Sequence, residues 1–434
     1  MRVLLSTIGS RGDVQPLVAL AVQLRAFGQE VRVCAPPDFG DWVEGLGIPF
    51  TPIGPEVRST AKSSPPVARS ASTPEQMRRI AEATVATQFE VIPAAAEGCD
   101  VLVGGGALQI ALRSVAEQRG IRYVYASYCP ISVPSAHHPP PAWRGDSPAD
   151  GPADSSKLWA QDAQRWNDSW GVALNSHRAS AGLDPVADVR SHIFTDKPWL
   201  AADPTLAPWP GSSDLDVFQT GAWILPDQRP LSPQLEAFLE AGEPPVYFGF
   251  GSIRAPQGLS KTLIQATREL ARRAIVLRGW ADLSLLDNET DCLSIGEVNQ
   301  QALFQRVAAV VHHGGAGTTT AAAGAGAPQV VIPQMYDQHY WATNPAPRNR
   351  NRTPARRTDH RLAGRGSQPR TSAGRGSPGQ IHRRGGAHGR RKDRGTANDG
   401  YGLSRLILSS WSASLGRPCG VDRWASRVPV GPVP

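Results

Sequence analysis

The stretch His312-His313-Gly314-Gly315-Ala316-Gly317-Thr318 has the residue types and spacing to hold an anion. An apolar run from Val307 to Val311 leads into it, and an Ala-rich segment from Thr319 to Ala327 leaves it. That order reads as a buried strand, a glycine turn and a helix start. The first N–H groups of a helix have no backbone partner and carry a partial positive charge, so a phosphate suits that position. The glycines let backbone approach the phosphate, and a histidine at the strand end adds a donor. His312 and His313 alternate faces, so at most one points into the site and the other is a satisfied histidine at the sheet surface. Further on, Asp337-Gln338 are two groups suited to sugar hydroxyls. Together these residues fit a site for a nucleotide diphosphate sugar.

Three other places carry polar residues after a strand. Gly9-Ser10-Arg11-Gly12-Asp13 follows the first strand. Asp13 precedes a helix and suits an N-cap, and on spacing alone the cap outweighs a catalytic base. Phe250-Gly251-Ser252 offers a hydroxyl and backbone N–H groups. Arg278-Gly279-Trp280 offers an aromatic face for a base, although a partly buried core tryptophan is the commoner use of such a residue. Asp337-Gln338 follows a strand and Pro333, and taken alone it reads as an ordinary polar loop.

The elements that must position these residues follow from periodicity. Arg2 to Ile8 reads as a buried strand, and Val14 to Phe27 as a helix with Leu17, Leu20, Ala21 and Leu24 on one face. Strands are expected at 30–34, 100–103 and 123–125, with helices at 74–89, 108–118 and 157–181. The pattern restarts with a strand at 245–250, a helix at 259–272, strands at 275–277 and 292–295, and a helix at 300–307. It ends with a strand at 308–311, a helix at 318–326 and a strand at 329–332. Such alternation predicts α/β architecture, parallel sheets covered on both faces. The expected division is an N-terminal domain over 1–224, a linker at 225–233 and a C-terminal domain over 234–342, facing across a cleft. In open α/β sheets the ligand sits at the carboxyl ends of the strands.

The chain has 434 residues, which favours two domains. No apolar run approaches the roughly 20 residues of a membrane span. The N-terminal run Val3-Leu4-Leu5 is shorter than the roughly 7–15 apolar residues of a signal peptide. The five cysteines are odd in number and lack metal-type spacing. A reduced, cytoplasmic protein without structural zinc is expected.

The formal net charge is +7, but its distribution excludes a nucleic-acid binder. From Thr343 onwards there are 19 Lys and Arg against 4 Asp and no Glu, which leaves residues 1–342 at −8. Residues 343–434 form an Arg-, Gly- and Pro-rich tail, and 343–400 show no apolar periodicity. By composition the tail is expected to be disordered. A change of reading frame near codon 342 explains a βα pattern cut off in mid-course, and translating the other two frames downstream tests this.

Taken together, the motifs resemble those of the glycosyltransferases that decorate vancomycin-type glycopeptide antibiotics. They are Gly9-Ser10-Arg11-Gly12-Asp13, Asn175-Ser176-His177-Arg178, Ala201-Ala202-Asp203-Pro204 and the run from Gln219 to Asp227. Gly249-Phe250-Gly251-Ser252, Arg278 to Asp282, Ile295 to Asn299, the histidine–glycine turn and Asp337-Gln338 complete the set. The resemblance covers residues 1 to about 342. It implies a GT-B fold of two Rossmann-like domains, the C-terminal one incomplete. It also implies an inverting transfer that requires no metal, from a UDP- or dTDP-sugar to the aglycone. Asp13 matches the general base, with Asp337 as rival. Ser10, Arg11, Ser252, His312, Gly314, Gly315, Gly317 and Thr318 match positions around the diphosphate. Trp280 and Val298 match positions near the nucleotide base, and Asp337 and Gln338 match the sugar contacts. The acceptor falls to the N-terminal half, with the loop around His137-His138-Pro139-Pro140-Pro141-Ala142-Trp143 as one wall. A fully hydroxylated sugar, glucose or an N-acetylhexosamine, is favoured over a deoxyamino sugar.

Overall fold

The computed structural model describes residues 1–59, 73–141, 154–211, 215–252, 259–280, 285 and 289–343. Ala142, Trp143 and the tail after Thr343 lie outside the described residues, and with them part of the expected acceptor wall.

The N-terminal sheet contains β1 (Arg2–Thr7), β2 (Glu30–Ala35), β3 (Phe50–Pro52), β4 (Val101–Gly105), β5 (Arg122–Ser127), β6 (Trp199–Leu200) and β7 (Phe218–Gln219). Their order is β3-β2-β1-β4-β5-β6-β7. Every pairing is parallel. Around it lie α1 (Arg11–Ala26), α2 (Gly40–Gly45), α3 (Pro74–Ala95), α4 (Leu112–Arg119), α5 (Ser155–Ser180) and α6 (Val189–Phe194). The C-terminal half begins with α7 (Pro233–Glu240) and β8 (Val246–Gly249). It continues with α8 (Leu259–Glu269), β9 (Ala274–Leu277), β10 (Cys292–Ile295), α9 (Gln300–Leu303) and β11 (Ala309–His312). Then come α10 (Ala316–Gly324), β12 (Gln329–Val331) and α11 (Gln338–Thr343). Its sheet is again wholly parallel, in the order β10-β9-β8-β11-β12.

The strands form because their side chains are apolar on both faces, as a covered parallel sheet requires. Leu4 and Leu5 are both fully buried although they point to opposite sides. Val14, Leu17, Val18 and Ala21 bury one stripe of α1 against β1 and β2. Each of these valine and leucine side chains contributes on the order of 1.5–3 kcal/mol. Helix starts are written in the sequence too. Thr73 caps α3 by accepting from Gln76 N, while Gln76 Oε1 accepts from Thr73 N, and Pro74 takes the first helical position.

Both halves are doubly wound, as the alternation predicted. Strand order reverses between β1 and β4 in one sheet and between β8 and β11 in the other. Those two switch points are where open α/β sheets leave a crevice for ligand. The segment between the sheets is not a loose hinge. Asn299 Nδ2 donates to the carbonyls of Asp227 and Arg229 (2.8 and 2.9 Å), and Gln301 Nε2 donates to that of Leu225 (2.9 Å).

Several boundaries differ from the sequence expectation. Helix α4 starts at Leu112 rather than 108, because buried Gln88 takes over the backbone of the preceding loop. Its Nε2 donates to Leu108 O and its Oε1 accepts from Ala111 N, each at 2.8 Å. The helix expected at 300–307 is one α-turn followed by a 3-10 turn at Phe304–Arg306.

The Asn175-Ser176-His177-Arg178 stretch serves the fold. Arg178 donates to Ser114 Oγ (2.8 Å), Glu117 Oε2 (2.7 Å) and the carbonyl of Asp184 (2.7 Å), while His177 stacks on Phe89. Replacing buried Arg178 by Met takes the strongest partner from Glu117, which keeps Arg113, and leaves Ser114 with His192 alone. We expect a loss of about 3 kcal/mol in chemical denaturation, with unchanged affinity for nucleotide.

Candidate functional site

Asp13 sits on the first turn of α1, at the β1/β4 switch point. The helix begins at Arg11, three residues earlier than its apolar periodicity suggests, and its N-cap is Ser10. Asp13 is therefore not the cap. It is the acid of a capping box, its Oδ2 accepting from Ser10 N at 2.7 Å and from Ser10 Oγ at 3.3 Å. Glycines make room for it. A Cβ on Gly9 would stand 2.3 Å from Asp13 Oδ2, and one on Gly106, whose φ is +77°, 3.4 Å from Oδ1. The Tyr128 hydroxyl donates to Asp13 O at 3.0 Å and pins the turn. Burial pushes the Asp13 carboxyl up to about 6, against the opposing effect of the Ser10 hydrogen bonds. Such a group is ionised at neutral pH yet basic enough to take a proton.

The second switch point carries the anion turn. β11 ends at His312, paired with Gly249 at the end of β8. Gly315 is the N-cap of α10, and no side chain caps that helix. Its first N–H groups are left for a ligand, and Gly317 and Thr318 lie on that first turn. Gly314 needs its freedom: its φ is +93°, and a Cβ there would come within 2.7 Å of Val331 Cγ1 and 3.0 Å of Gln338 O.

The two histidines divide the work differently from the expectation. His312 is fully buried. Its Nε2 lies 2.9 Å from Gln329 Oε1, and its Nδ1 accepts from Gly314 N at 3.1 Å. Nδ1 as acceptor leaves Nε2 as the protonated donor. Burial pulls its pKa down to about 3, so the ring is neutral. With both nitrogens spent inside the protein, His312 shapes the turn, and a direct ligand contact from it is corrected to a positioning one. His313, half-buried, lies over the turn instead, against the positions that Cβ atoms on Gly251 and Gly315 would occupy.

The remaining strand ends converge here. Ser252 and Gly251 follow β8, Trp280 follows β9, and Trp280 N donates to Gly251 O at 2.9 Å. A Cβ on Gly279 (φ +52°) would meet that carbonyl at 2.6 Å. Val298 follows β10 and is partly buried. Across the cleft, Arg11 Nη1 pairs with Glu297 Oε2 at 2.9 Å, and Arg58 lies over the Trp280 ring at 5.6 Å.

Asp337-Gln338 is a helix start rather than a loop. Gln338 is buried and spends its carboxamide oxygen on the N–H groups of Gln334 and Met335 (2.8 and 3.1 Å). Asp337 Oδ2 accepts from the Trp341 indole N–H at 3.2 Å. Burial, together with the negative charge of Asp13, pushes the Asp337 carboxyl up to about 6. The residue before it, Tyr336, holds a φ of +51°, an uncommon conformation for a bulky side chain. Its phenol faces Ser132 of the N-terminal half. Neither Trp341 nor Tyr336 was singled out by sequence reasoning, since an aromatic after a polar pair carries no signal of its own.

Among the described residues there is no cluster of three or more His, Cys, Asp or Glu side chains arranged to hold a metal. None of their helices is long and apolar enough to cross a membrane.

Comparison with known proteins agrees with this layout. Residues 3–136 match the glycosyltransferase family 28 N-terminal domain, and residues 282–347 match the erythromycin biosynthesis protein CIII-like C-terminal domain. Glycosyltransferase GtfE of Amycolatopsis orientalis is 55% identical over 79% of this chain and 83% of its own length. The vancomycin aglycone glucosyltransferase of the same organism is 53% identical over the same shares. The dTDP-epi-vancosaminyltransferase, also from that organism, is 45% identical over 78% of this chain and 80% of its own. Among solved structures, the glycotransferase of kitacinnamycin superposes with a TM-score of 0.56 at 18% identity, covering 79% of this chain and 83% of that one. VinC in complex with dTDP superposes at 0.53 and 19%, covering 79% and 84%. These two establish the GT-B fold. With relatives this similar over four fifths of their length, the chain belongs to the glycosyltransferases of vancomycin-group antibiotic biosynthesis.

Proposed function

We propose that the chain moves a hexose from a nucleotide diphosphate sugar to a hydroxyl of a glycopeptide aglycone, with inversion, in the cytoplasm. The observation that carries this reading is the juxtaposition of a half-buried carboxylate with a raised pKa at one switch point and an uncapped helix N-terminus at the other. Asp13 takes the acceptor proton as the oxygen attacks the anomeric carbon. The transition state is oxocarbenium-like, as in glycoside hydrolysis. The leaving diphosphate takes its negative charge onto the N–H groups of the turn before α10, which supply the stabilisation that a divalent metal gives elsewhere. Ser10, Arg11, Ser252, Gly314, Gly315, Gly317 and Thr318 line the diphosphate, and Trp280 and Val298 the base. Asp337 holds sugar hydroxyls.

Glucose is the favoured sugar. The vancomycin aglycone glucosyltransferase is more similar to this chain than the dTDP-epi-vancosaminyltransferase is, 53% against 45%. The aglycone is incubated with UDP-glucose, UDP-N-acetylglucosamine or a dTDP-deoxyamino sugar, and products are read by mass spectrometry. Hexose addition fastest with a UDP-sugar supports the assignment, and turnover restricted to the dTDP-sugar reverses it. A second reading, an impaired transferase, is favoured by the similarity ending with 79% of the chain. It predicts product only from a version whose reading frame is restored after codon 342.

The pH dependence follows from the carboxylates. A base titrating near 6 must be ionised to work. The rate should therefore rise through about pH 6 and level off above it. The stability effect has the opposite sign, because the folded pKa is raised above the usual carboxylate value. The folded state binds the proton more tightly, so stability falls as pH rises from about 4 to about 6.

A further inference from the structure

We propose that Trp341 is a positioning residue that couples closure of the two halves to the carboxylate of Asp337. This rests on the reading of Asp337 as a sugar-binding group. The indole does two things at once. Its Nε1–H donates to Asp337 Oδ2 at 3.2 Å. Its ring is 2% exposed and belongs to a cluster built mainly from the other half: Cys129, Leu200, Ala202 and Ala207. Those residues follow β5 or lie at β6 and just beyond it, at the carboxyl edge of the N-terminal sheet. Tyr336, at the other end of the same turn, faces Ser132 in that edge.

The carboxylate therefore has its orientation set by a side chain seated in the opposite domain. When the halves separate, the indole loses its apolar seat, and the hydrogen bond that aims Oδ2 loses its support. When they close, Asp337 is aimed and brought close enough to Asp13 to feel its charge. The groups that face Asp337 are Asp13 from α1, Cys129 from the segment after β5, and Tyr336 from its own turn. None of them is cationic, so the charged form is favoured by hydrogen bonds alone, the larger from the indole N–H and the smaller from the backbone N–H of Asp337 itself.

The test uses the full chain with Trp341→Phe, which keeps an aromatic ring in the seat and removes the donor. Free nucleoside diphosphate does not reach Asp337, so its Kd should stay within about twofold. KM for the intact sugar donor should rise about tenfold, the scale of one lost hydrogen bond to a charged group. The acid limb of the pH dependence of donor KM, which Asp337 sets, should move to higher pH. In an Asp337→Asn background the same change should have no further effect on KM. Wild-type KM and pH profile in Trp341→Phe would overturn the proposal, and so would equal weakening of donor and free nucleotide. Should Trp341→Phe not fold, the indole N–H signals of the ¹⁵N-tryptophan-labelled wild type decide. One should titrate near pH 6 and become pH-independent in Asp337→Asn; if none does, the coupling is absent. A wild type that transfers no sugar from any nucleotide donor is a different result, since it removes the functional reading while the indole titration still reports on the bond.

Discussion

Asp13→Asn should lower the turnover number by about 10²–10⁴-fold, the usual worth of a positioned general base, while donor affinity stays within about twofold. The substitution is close to isosteric. The amide oxygen can keep the 2.7 Å bond from Ser10 N, so the capping box survives. What disappears is the ability to accept a proton. Stability should not fall, and it should rise slightly near pH 7, because an ionised carboxylate whose burial disfavours charge is replaced by a neutral group. A base lost with unchanged or higher melting temperature separates a catalytic role from a capping one. A residue that mattered only to the helix would leave turnover intact, because asparagine keeps the box about as well as aspartate. If Asp337→Asn abolished turnover while Asp13→Asn did not, the base would move to Asp337. The raised pKa of both carboxyls makes that contest real.

Gly314→Ala should be among the most damaging single-methyl changes in the chain's site. At a φ of +93° an L side chain is strained whatever the space, by about 1–3 kcal/mol. Here the space is also taken, by Val331 Cγ1 and by the backbone of Gln338. The turn must shift against β12 and α11 together, which moves the N–H groups that hold the diphosphate and disturbs the start of α11. We expect a total loss of about 2–4 kcal/mol in unfolding free energy. Nucleotide diphosphate affinity should fall at least tenfold, measured by calorimetry at a temperature where the variant is folded. Gly317→Ala is the control. A Cβ there meets nothing within 4 Å, and the residue lies in regular helix. It should gain up to about 1 kcal/mol of stability. Equal behaviour of the two variants would contradict the turn geometry.

The two winding patterns, the switch points and the strand–turn–helix around Gly314 were legible because long apolar runs and glycine turns leave strong local signals. The two-residue strands β6 and β7 were not, since two residues cannot show an alternation. Nor was β3, where Phe50-Thr51-Pro52 carries a proline suited to an edge. The site was legible in its residue types more than in their roles. Asp13 was expected as a cap or a base, and the structure makes it the acid of a box whose cap is Ser10. That exchange depends on where the helix begins, and Gly12 and Pro16 blur the periodicity there. His312 was placed at the diphosphate, yet it is the buried member of its pair, because Gln329 on the neighbouring strand offers a partner that no local pattern reveals. Trp341 stayed silent for the same reason. Its seat is built from residues more than a hundred positions away, brought together only when the two sheets face one another.

The central claim is that a carboxylate on one domain and an anion turn on the other together perform an inverting sugar transfer. Its most direct test is the anomeric configuration of the product, read by NMR after reaction of the full chain with the α-configured donor UDP-glucose and the aglycone. The account predicts a single added hexose in β linkage, formed by the wild type and reduced at least a hundredfold in Asp13→Asn. A product that keeps the α configuration, or one formed as fast by Asp13→Asn as by the wild type, would contradict it.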